Sequence, residues 1–279
     1  MQSGVIGNGD KPTLSNRMIK PTQISAEDIK WIEEKVGSVH SIKVLTSGLT
    51  NNCFKVKTQT GLFFVKKFNL SRLDKQAIQN EQQVRQWAES VNLSPLTFFY
   101  SQTLNLLIQR FEVAGDLASS NLAMDDKIQQ VATCLARLHQ QALQPHTKLT
   151  KQDLTHESSL LIARAQRSTA DYKNLIQLCK KLDENSQLNC LCHGDMSFQN
   201  LLLGSENKII DWEYARLAEV EYDLASSIVI NQLTLAQQQS LIEKYQAAMA
   251  NKRISIDKIT DYQIVFTEIN KLWHLSESD

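Results

Sequence analysis

The apolar residues in the first part of the chain follow two different periods. IKWIEEKV has helical spacing, and Ser25 with Asp28 before it resembles a helix N-cap with its acidic partner. From residue 41, SIKVL, NCFKVKT and GLFFVKKF are short and rich in β-branched and aromatic residues, which predicts three strands. DKQAIQNEQQVRQWAES then has helical spacing, and LTFFY and LNLLIQRF predict two more strands. The pattern predicts a small antiparallel sheet with one helix inserted after its third strand.

The rest of the chain is mainly helical in pattern. The apolar residues of KIQQVATCLARLHQQAL fall on one helix face, and residues 155–183 and 234–275 are also predicted to be helical. Between these helices, the pattern of residues 191–215, LCHGDMSFQNLLLGSENKIIDWEYA, is that of short strands and loops.

These patterns predict an α+β fold with two lobes. Residues 1–20 are polar and Gly-rich, so they have little to bury and are expected to form a loose tail. The sheet and its helix make an N-terminal lobe over residues 21–111. Residues 112–279 make a larger, mainly helical C-terminal lobe that contains residues 191–215.

Composition narrows the range of partners. The chain has 279 residues, and its 30 basic and 30 acidic side chains cancel, so there is no net field to hold a nucleic acid or an anionic membrane. No apolar stretch approaches the roughly 20 residues that span a bilayer, and the N-terminus has no signal-peptide pattern. The five cysteines are irregularly spaced, which indicates buried thiols rather than a zinc site and favours the cytoplasm.

Residues 191–215 carry the clearest chemistry. Asp195 is followed five residues later by Asn200, and Asp211 follows the short apolar run KII. Carboxylate and amide oxygens are the ligands that Mg²⁺ prefers, and a spare carboxylate can accept the proton of an attacking hydroxyl. An aspartate, an asparagine five residues on and a further aspartate are typical of the phosphotransfer half of a kinase site.

A kinase site needs three further parts in the N-terminal lobe: a phosphate-covering turn, a strand lysine and a helix glutamate. The turn SGLTNN begins at Ser47, between the first two strands. Lys66 and Lys67 both lie on the third strand, and alternation alone leaves the choice between them open. Glu81 lies in the inserted helix. The order of these parts along the chain favours a kinase.

The chain resembles the choline/ethanolamine kinase and aminoglycoside phosphotransferase superfamily, nearest its choline and thiamine kinase branch. SGLTNNCFKV is similar to the family's nucleotide loop, FFVKKF to its lysine strand, QNEQQV to its glutamate helix and LARLHQ to its L-x-x-L-H helix. HGDMSFQNLLL and IIDWEYARLAEVEYDLA resemble its catalytic and metal-binding motifs. The resemblance implies a protein-kinase-like fold, although only Gly48 remains of the protein-kinase glycine-rich loop.

The resemblance also implies roles for individual residues. Asp195 becomes the catalytic base, while Asn200 and Asp211 hold Mg²⁺ against the phosphates of ATP. The resemblance selects Lys66, held by Glu81, as the residue that contacts the phosphates. The remaining ATP-binding residues that it implies are the covering turn and the hinge beside the adenine: Ser47, Gly48, Thr50, Asn51, Glu112 and Val113.

The acceptor is expected to be a cationic alcohol, because aromatic residues and a carboxylate follow the metal aspartate and such groups bind ammonium ions. The predicted acceptor residues are Trp212, Glu213, Tyr214 and Trp273, with Glu219 and Glu221 as further candidates. Choline or ethanolamine ranks first, followed by thiamine. An aminoglycoside, or a pseudokinase that binds a nucleotide without turnover, are the further alternatives.

Overall fold

A computed structural model describes residues 24–45, 51–69, 75–142, 149–250 and 253–277. The predicted tail and residues 46–50 of the predicted turn lie outside the described residues.

Five antiparallel strands form the predicted N-terminal sheet, in the order β1-β2-β3-β5-β4. Strands β2 and β3 form a hairpin in which Thr58 pairs with Gly61. Helix α2 follows β3, as the sequence predicted, so the α+β fold class is confirmed on this side of the molecule. The bounds are β1 Val39–Val44, β2 Asn51–Thr58, β3 Gly61–Phe68, α2 Lys75–Ser90, β4 Thr97–Ser101 and β5 Leu106–Arg110.

Helix α1, Ala26–Val36, begins at the predicted cap. The Ser25 hydroxyl accepts the Asp28 N–H at 3.1 Å, and the Asp28 carboxylate accepts the Ser25 N–H at 2.9 Å. These two bonds satisfy donors that the first helical turn leaves without partners. Asp28 also pairs with Lys67, which ties this helix to β3.

The C-terminal part is mainly helical, and each of the two long helical stretches is divided. Gln166, with φ of +53°, ends the first helix, and Ser168 caps a short 3-10 turn before the next. Thr234 caps α7, and a separate helix follows it. The bounds are α3 Met124–His139, α4 Leu154–Arg164, α5 Lys173–Asn185, α6 Val220–Ile230, α7 Leu235–Ala248 and α8 Ile256–Glu277.

Two short two-stranded antiparallel sheets lie among these helices. Their strands flank the loops that carry the motif residues of segment 191–215. Strand β6, Cys190–Cys192, pairs with β9, Arg216–Ala218, and β7, Leu201–Leu202, pairs with β8, Lys208–Ile209. Their buried apolar residues belong to the large core formed with α3 and α6. This burial anchors both ends of the intervening polar loops.

All five cysteines are buried, and none forms a disulfide. None of the helices in the described ranges is both long enough and apolar enough to cross a bilayer.

Candidate active site

The predicted catalytic loop, which carries Asp195 and is called the catalytic loop below, begins with a backbone turn that requires glycine. Gly194 follows β6 with φ of +79°, a left-handed conformation that other residues rarely adopt. A Cβ at this position would lie 2.8 Å from the carbonyl oxygen of Tyr214. The glycine therefore lets the loop pass directly against the segment that follows the predicted metal aspartate.

Asp223, in the first turn of α6, stabilises this backbone turn by accepting two hydrogen bonds from it. One of its carboxylate oxygens accepts the His193 N–H at 2.7 Å, and the other accepts the Gly194 N–H at 2.7 Å. Burial would raise the pKa of Asp223, but its hydrogen bond with His139 (3.0 Å) and the charges of both histidines lower it. Asp223 thus binds the loop backbone, and its oxygens have no role left over for a substrate.

Asp195 has one engaged and one open carboxylate oxygen. Asn200 donates from Nδ2 to Oδ2 of Asp195 at 2.9 Å and to its carbonyl oxygen at 2.8 Å. Oδ1 of Asp195 is buried and has no hydrogen-bond partner among the described residues. Burial and the negative charge of Asp211, partly offset by the Asn200 hydrogen bond, raise the pKa of Asp195 to about 7. A pKa near neutrality suits a group that accepts a proton.

Asp211 follows the end of strand β8 by two residues and turns the chain sharply. Its φ of 65° and ψ of 66° are left-handed, and the three residues after it form a 3-10 turn. The preceding carbonyl, of Ile210, lies 2.9 Å from Nε2 of His193. This contact joins the Asp211 segment to the catalytic loop.

Lys66 lies between two carboxylates. Its Nζ is 2.7 Å from Oε1 of Glu81 on α2 and 3.0 Å from Oδ1 of Asp211. Burial would lower the pKa of Lys66, but the charges of Asp211 and Glu81 raise it well above its usual value, so the ammonium stays charged. For Asp211, burial would raise the pKa, but the charge of Lys66 and its hydrogen bond lower it. The structure therefore brings Lys66, rather than Lys67, to Glu81 and Asp211.

Two of the predicted residues meet across the site. Asn51, the first residue of β2, donates from Nδ2 to Oε2 of Glu213 at 3.2 Å. Ser47, Gly48 and Thr50, which were predicted to cover the phosphates with Asn51, lie outside the described residues. The contact therefore places the end of the predicted nucleotide turn beside the segment that follows Asp211, the predicted metal ligand.

The side-chain oxygens fit a magnesium ion. Asn200 turns its amide nitrogen toward Asp195, which leaves its Oδ1 as the amide atom available to a cation. Asp211 is ionised and its side chain is 36% exposed, so it too can reach a cation. One carboxylate and one amide oxygen are a donor set typical of Mg²⁺, which takes its remaining ligands from phosphate and water.

Trp212 does not line an acceptor site, contrary to the sequence prediction. It is 1% exposed, its indole N–H donates to the Ile209 carbonyl at 3.2 Å, and its ring packs 4.9 Å from that of His193. The further candidates Glu219 and Glu221 are also buried and engaged. Apolar burial and satisfied hydrogen bonds give these three residues a structural role.

Tyr214 is the predicted aromatic residue that reaches the surface beside Asp195. The residue is 37% exposed, and its partial burial together with the charges of Glu213, Asp195 and Asp211 raises the pKa of its hydroxyl. Trp273 is half-buried on α8. It lies two turns after Phe266, whose ring packs 4.9 Å from that of Tyr222, so Phe266 and Trp273 share a helix face.

The predicted hinge leads from β5 into the C-terminal part of the chain. Glu112 is half-buried and Val113 is 76% exposed, and both lie in irregular backbone between β5 and Asp116. Asp116 forms a bridge with Leu202, next to the catalytic loop. The segment thus connects β5 to the C-terminal part of the chain. Its contact with adenine stays a prediction.

Comparison with protein families identifies the class of enzyme. Residues 41–254 match the model of the phosphotransferase enzyme family. The chain belongs to this family. The predicted class, an ATP-dependent phosphotransferase with an alcohol group as acceptor, is therefore confirmed. No curated protein gave a significant sequence match.

Solved structures support the fold of this phosphotransferase. The choline kinase LicA from Streptococcus pneumoniae is 20% identical to this chain and superimposes with a TM-score of 0.72. The alignment covers 89% of this chain and 90% of the LicA chain. An ethanolamine kinase from Plasmodium vivax is 16% identical, with coverage of 89% and 82% and a TM-score of 0.66. A spectinomycin phosphotransferase in complex with ADP and spectinomycin is 17% identical, with coverage of 91% and 88% and a TM-score of 0.60. These similarities confirm the predicted protein-kinase-like fold.

Residues that the sequence did not single out complete the surroundings of this site. Arg216 contacts the Tyr214 carbonyl and Glu157 of α4, and its guanidinium lies over the Tyr222 ring. Arg216 lies within the quoted motif IIDWEYARLAEVEYDLA, but Glu157 lies in a helix with no motif of its own. The folded chain brings Glu157 to the site.

Proposed function

We propose that this phosphotransferase transfers the γ-phosphoryl group of ATP to the hydroxyl of a cationic amino alcohol, choline or ethanolamine in the first place. The observation that carries this proposal is that Tyr214 is exposed and lies within the electrostatic reach of the carboxylates of Glu213, Asp195 and Asp211. An aromatic face and nearby negative charge are complementary to an ammonium group. Thiamine, whose thiazolium ring is cationic, is the second candidate for the same reason.

In the proposed reaction, Asp195 accepts a proton through its open Oδ1. The acceptor oxygen bonds to the γ-phosphorus, the bond from that phosphorus to the β,γ-bridging oxygen breaks, and ADP leaves. The hydroxyl proton passes to Asp195, whose pKa of about 7 allows it to be ionised beforehand. Asn200 orients this carboxylate through its two hydrogen bonds.

The charged and polar groups beside Asp195 are of the types that bind the triphosphate of ATP and its magnesium ion. Lys66, held by Glu81, is proposed to contact the phosphates, and Asn200 and Asp211 to hold Mg²⁺. The bound ion would neutralise negative charge on the phosphates. The predicted turn, with Ser47, Gly48, Thr50 and Asn51, is proposed to cover them, and Glu112 and Val113 to adjoin the adenine.

An acceptor screen tests the proposal. The purified chain is assayed with ATP and Mg²⁺ by coupled ADP release, with choline, ethanolamine, thiamine, kanamycin and a fructosamine as acceptors. The activity of Asp195→Asn, purified in parallel, gives the background from any contaminating kinase. We expect phosphorylation of choline or ethanolamine with the highest kcat/KM.

Other outcomes of the screen would each replace the proposal. A higher kcat/KM for thiamine would make the protein a thiamine kinase, and preference for kanamycin would make it an aminoglycoside phosphotransferase. Tight binding of MgATP with no product from any acceptor would indicate a nucleotide-binding module.

A further inference from the structure

Arg216 connects a glutamate of a distant helix to the acceptor side of the site. Its Nε donates to the carbonyl oxygen of Tyr214 at 3.0 Å, and its Nη1 donates to Oε1 of Glu157. The guanidinium carbon also lies 5.8 Å from the ring centre of Tyr222. Arg216 is buried in this position, so its contacts fix where the Glu157 carboxylate can lie.

The two partners of this ion pair differ in exposure. The side chain of Arg216 is 9% exposed, whereas that of Glu157 is 31% exposed. Arg216 engages Oε1 of Glu157, and the structure records no hydrogen bond to Oε2 among the described residues. By contrast Glu219, also paired with a cation, is 5% exposed and uses both of its oxygens. Glu157 therefore keeps one oxygen available at the surface.

The partners of Arg216 touch the catalytic loop. A Cβ at Gly194 would lie 2.8 Å from the Tyr214 carbonyl oxygen and 3.3 Å from the Tyr222 hydroxyl. Gly194 directly precedes Asp195. Glu157 is thus linked to the reacting end of the site by an unbroken series of contacts through Arg216 and Tyr214.

This side of the site carries more carboxylates than cations. Glu157 pairs with Arg216 and Asp211 pairs with Lys66, while Asp195 and Glu213 add further acidic groups. The excess of negative charge is complementary to an ammonium group.

We infer that Glu157 is a specificity-determining residue, whose Oε2 binds the ammonium group of the acceptor while the exposed ring of Tyr214 flanks it. This inference rests on the proposed function, because it assigns the acceptor end of the same reaction. It gives a role to the partly exposed carboxylate of α4, a helix without a kinase motif, which Arg216 and Tyr214 connect to the catalytic loop.

Equilibrium binding tests the inference separately from turnover. Choline and tetramethylammonium, which has the cation but no hydroxyl, are titrated by calorimetry into the wild type, Glu157→Gln and the shorter carboxylate variant Glu157→Asp. We expect both ligands to bind Glu157→Gln about tenfold more weakly, since a charge-assisted contact is lost. Glu157→Asp should show a smaller loss, and the affinity for MgATP should stay unchanged in both variants.

Glu243→Gln is the matched control, because Glu243 is an exposed helix glutamate with a single partner, Gln239. Unchanged binding of both cations by Glu157→Gln, or no binding of either by the wild type, would overturn the inference. So would an equal loss of MgATP affinity in both Glu157 variants, which would mean that the residue only supports Arg216. If the acceptor screen yields no product but the cations bind as expected, the proposed reaction fails and the cation site stands.

Discussion

Glu219 and Asp223 differ from Asp195 in how the folded protein surrounds their carboxylates. Glu219 accepts hydrogen bonds from Lys258 at 2.6 Å and Tyr262 at 2.9 Å, and Asp223 accepts hydrogen bonds from two loop N–H groups. Asp195, by contrast, keeps a buried oxygen without a partner in the described part of the chain. All three residues therefore have buried carboxylate oxygens. The difference lies in whether the surrounding groups use up those oxygens.

The hydrogen bonds of a buried carboxylate indicate whether it stabilises the fold or takes part in the reaction. A buried carboxylate with all its acceptors satisfied stabilises the fold, and losing it leaves donors without partners. A buried carboxylate with an open oxygen costs stability in the folded state and is typical of a functional site. Asp195 meets the second description, and Glu219 and Asp223 meet the first.

The largest expected effect comes from removing the open carboxylate. Asp195→Asn should lower kcat by about three orders of magnitude, because it removes the proposed base while keeping a similar shape. The exposed residue Asp171 provides the control, and Asp171→Asn should leave kcat unchanged. Steady-state kinetics with the acceptor from the screen measure both variants, and an Asp195→Asn enzyme with normal kcat would remove Asp195 from the mechanism.

The same variant should not weaken the fold. The folded-state pKa of Asp195, about 7, lies above its ordinary value of 3.8, so the protonated form favours folding at low pH and this contribution is lost as pH rises through 7. At pH 8 the ionised group therefore destabilises the protein. We expect Asp195→Asn to melt at the same or a higher temperature at that pH. A clearly lower melting temperature in calorimetry would show that Asp195 supports the structure instead.

The pH dependence of catalysis sharpens the comparison further. Because a base must be ionised, kcat/KM should fall about tenfold per pH unit below about 7, the pKa of Asp195. Choline suits this measurement because its quaternary ammonium group does not titrate. A profile that stays flat down to pH 5.5 would exclude a base with this pKa.

A satisfied carboxylate should show the reverse pattern, with a change in stability and little change in chemistry. Glu219→Gln should lower the free energy of unfolding by about 1.5–3 kcal/mol, because hydrogen bonds to a charged group are lost. Its kcat at 20 °C, well below melting, should stay near the wild-type value. Denaturant titration and kinetics measure the two quantities.

Glu184→Gln is the control for that variant, since Glu184 is 62% exposed and its ion pair with Lys180 is 3.8 Å long. Exposed pairs of this kind contribute little, so the control should unfold as the wild type does. If Glu219→Gln lowers kcat strongly while its stability is unchanged, Glu219 belongs with the functional carboxylates after all.

The smallest effect is expected at the cysteines. Burial raises the pKa of the Cys134 and Cys179 thiols to about 11, and the thiolate is the reactive form. In the native protein, these thiols should react with a maleimide far more slowly than in urea, and kcat should not change during the treatment. Rapid labelling of the folded protein, followed by mass spectrometry, would show that these thiols are accessible.

Much of the fold could be predicted because its elements have clear local patterns. Alternating β-branched strands, the Ser25 cap and the helical spacing of α3 each determine structure within a few residues of themselves. The site residues Asp195, Asn200 and Asp211 could be proposed together because they lie within one short segment. Their order restricts the chemistry even before the chain is folded.

Other features depended on neighbours that are distant in sequence. Local pattern could not show that Trp212 packs on His193, or that Lys66 rather than Lys67 meets Glu81 on another element. The engagement of Glu219 depends on Tyr262 and Lys258 of α8, and the position of Glu157 depends on Arg216. The sequence by itself determined the N-terminal strands, the helical regions and the chemical groups at the motifs. Only the tertiary structure decided which carboxylate oxygens stay open, because partners from separate elements either occupy those oxygens or leave them available.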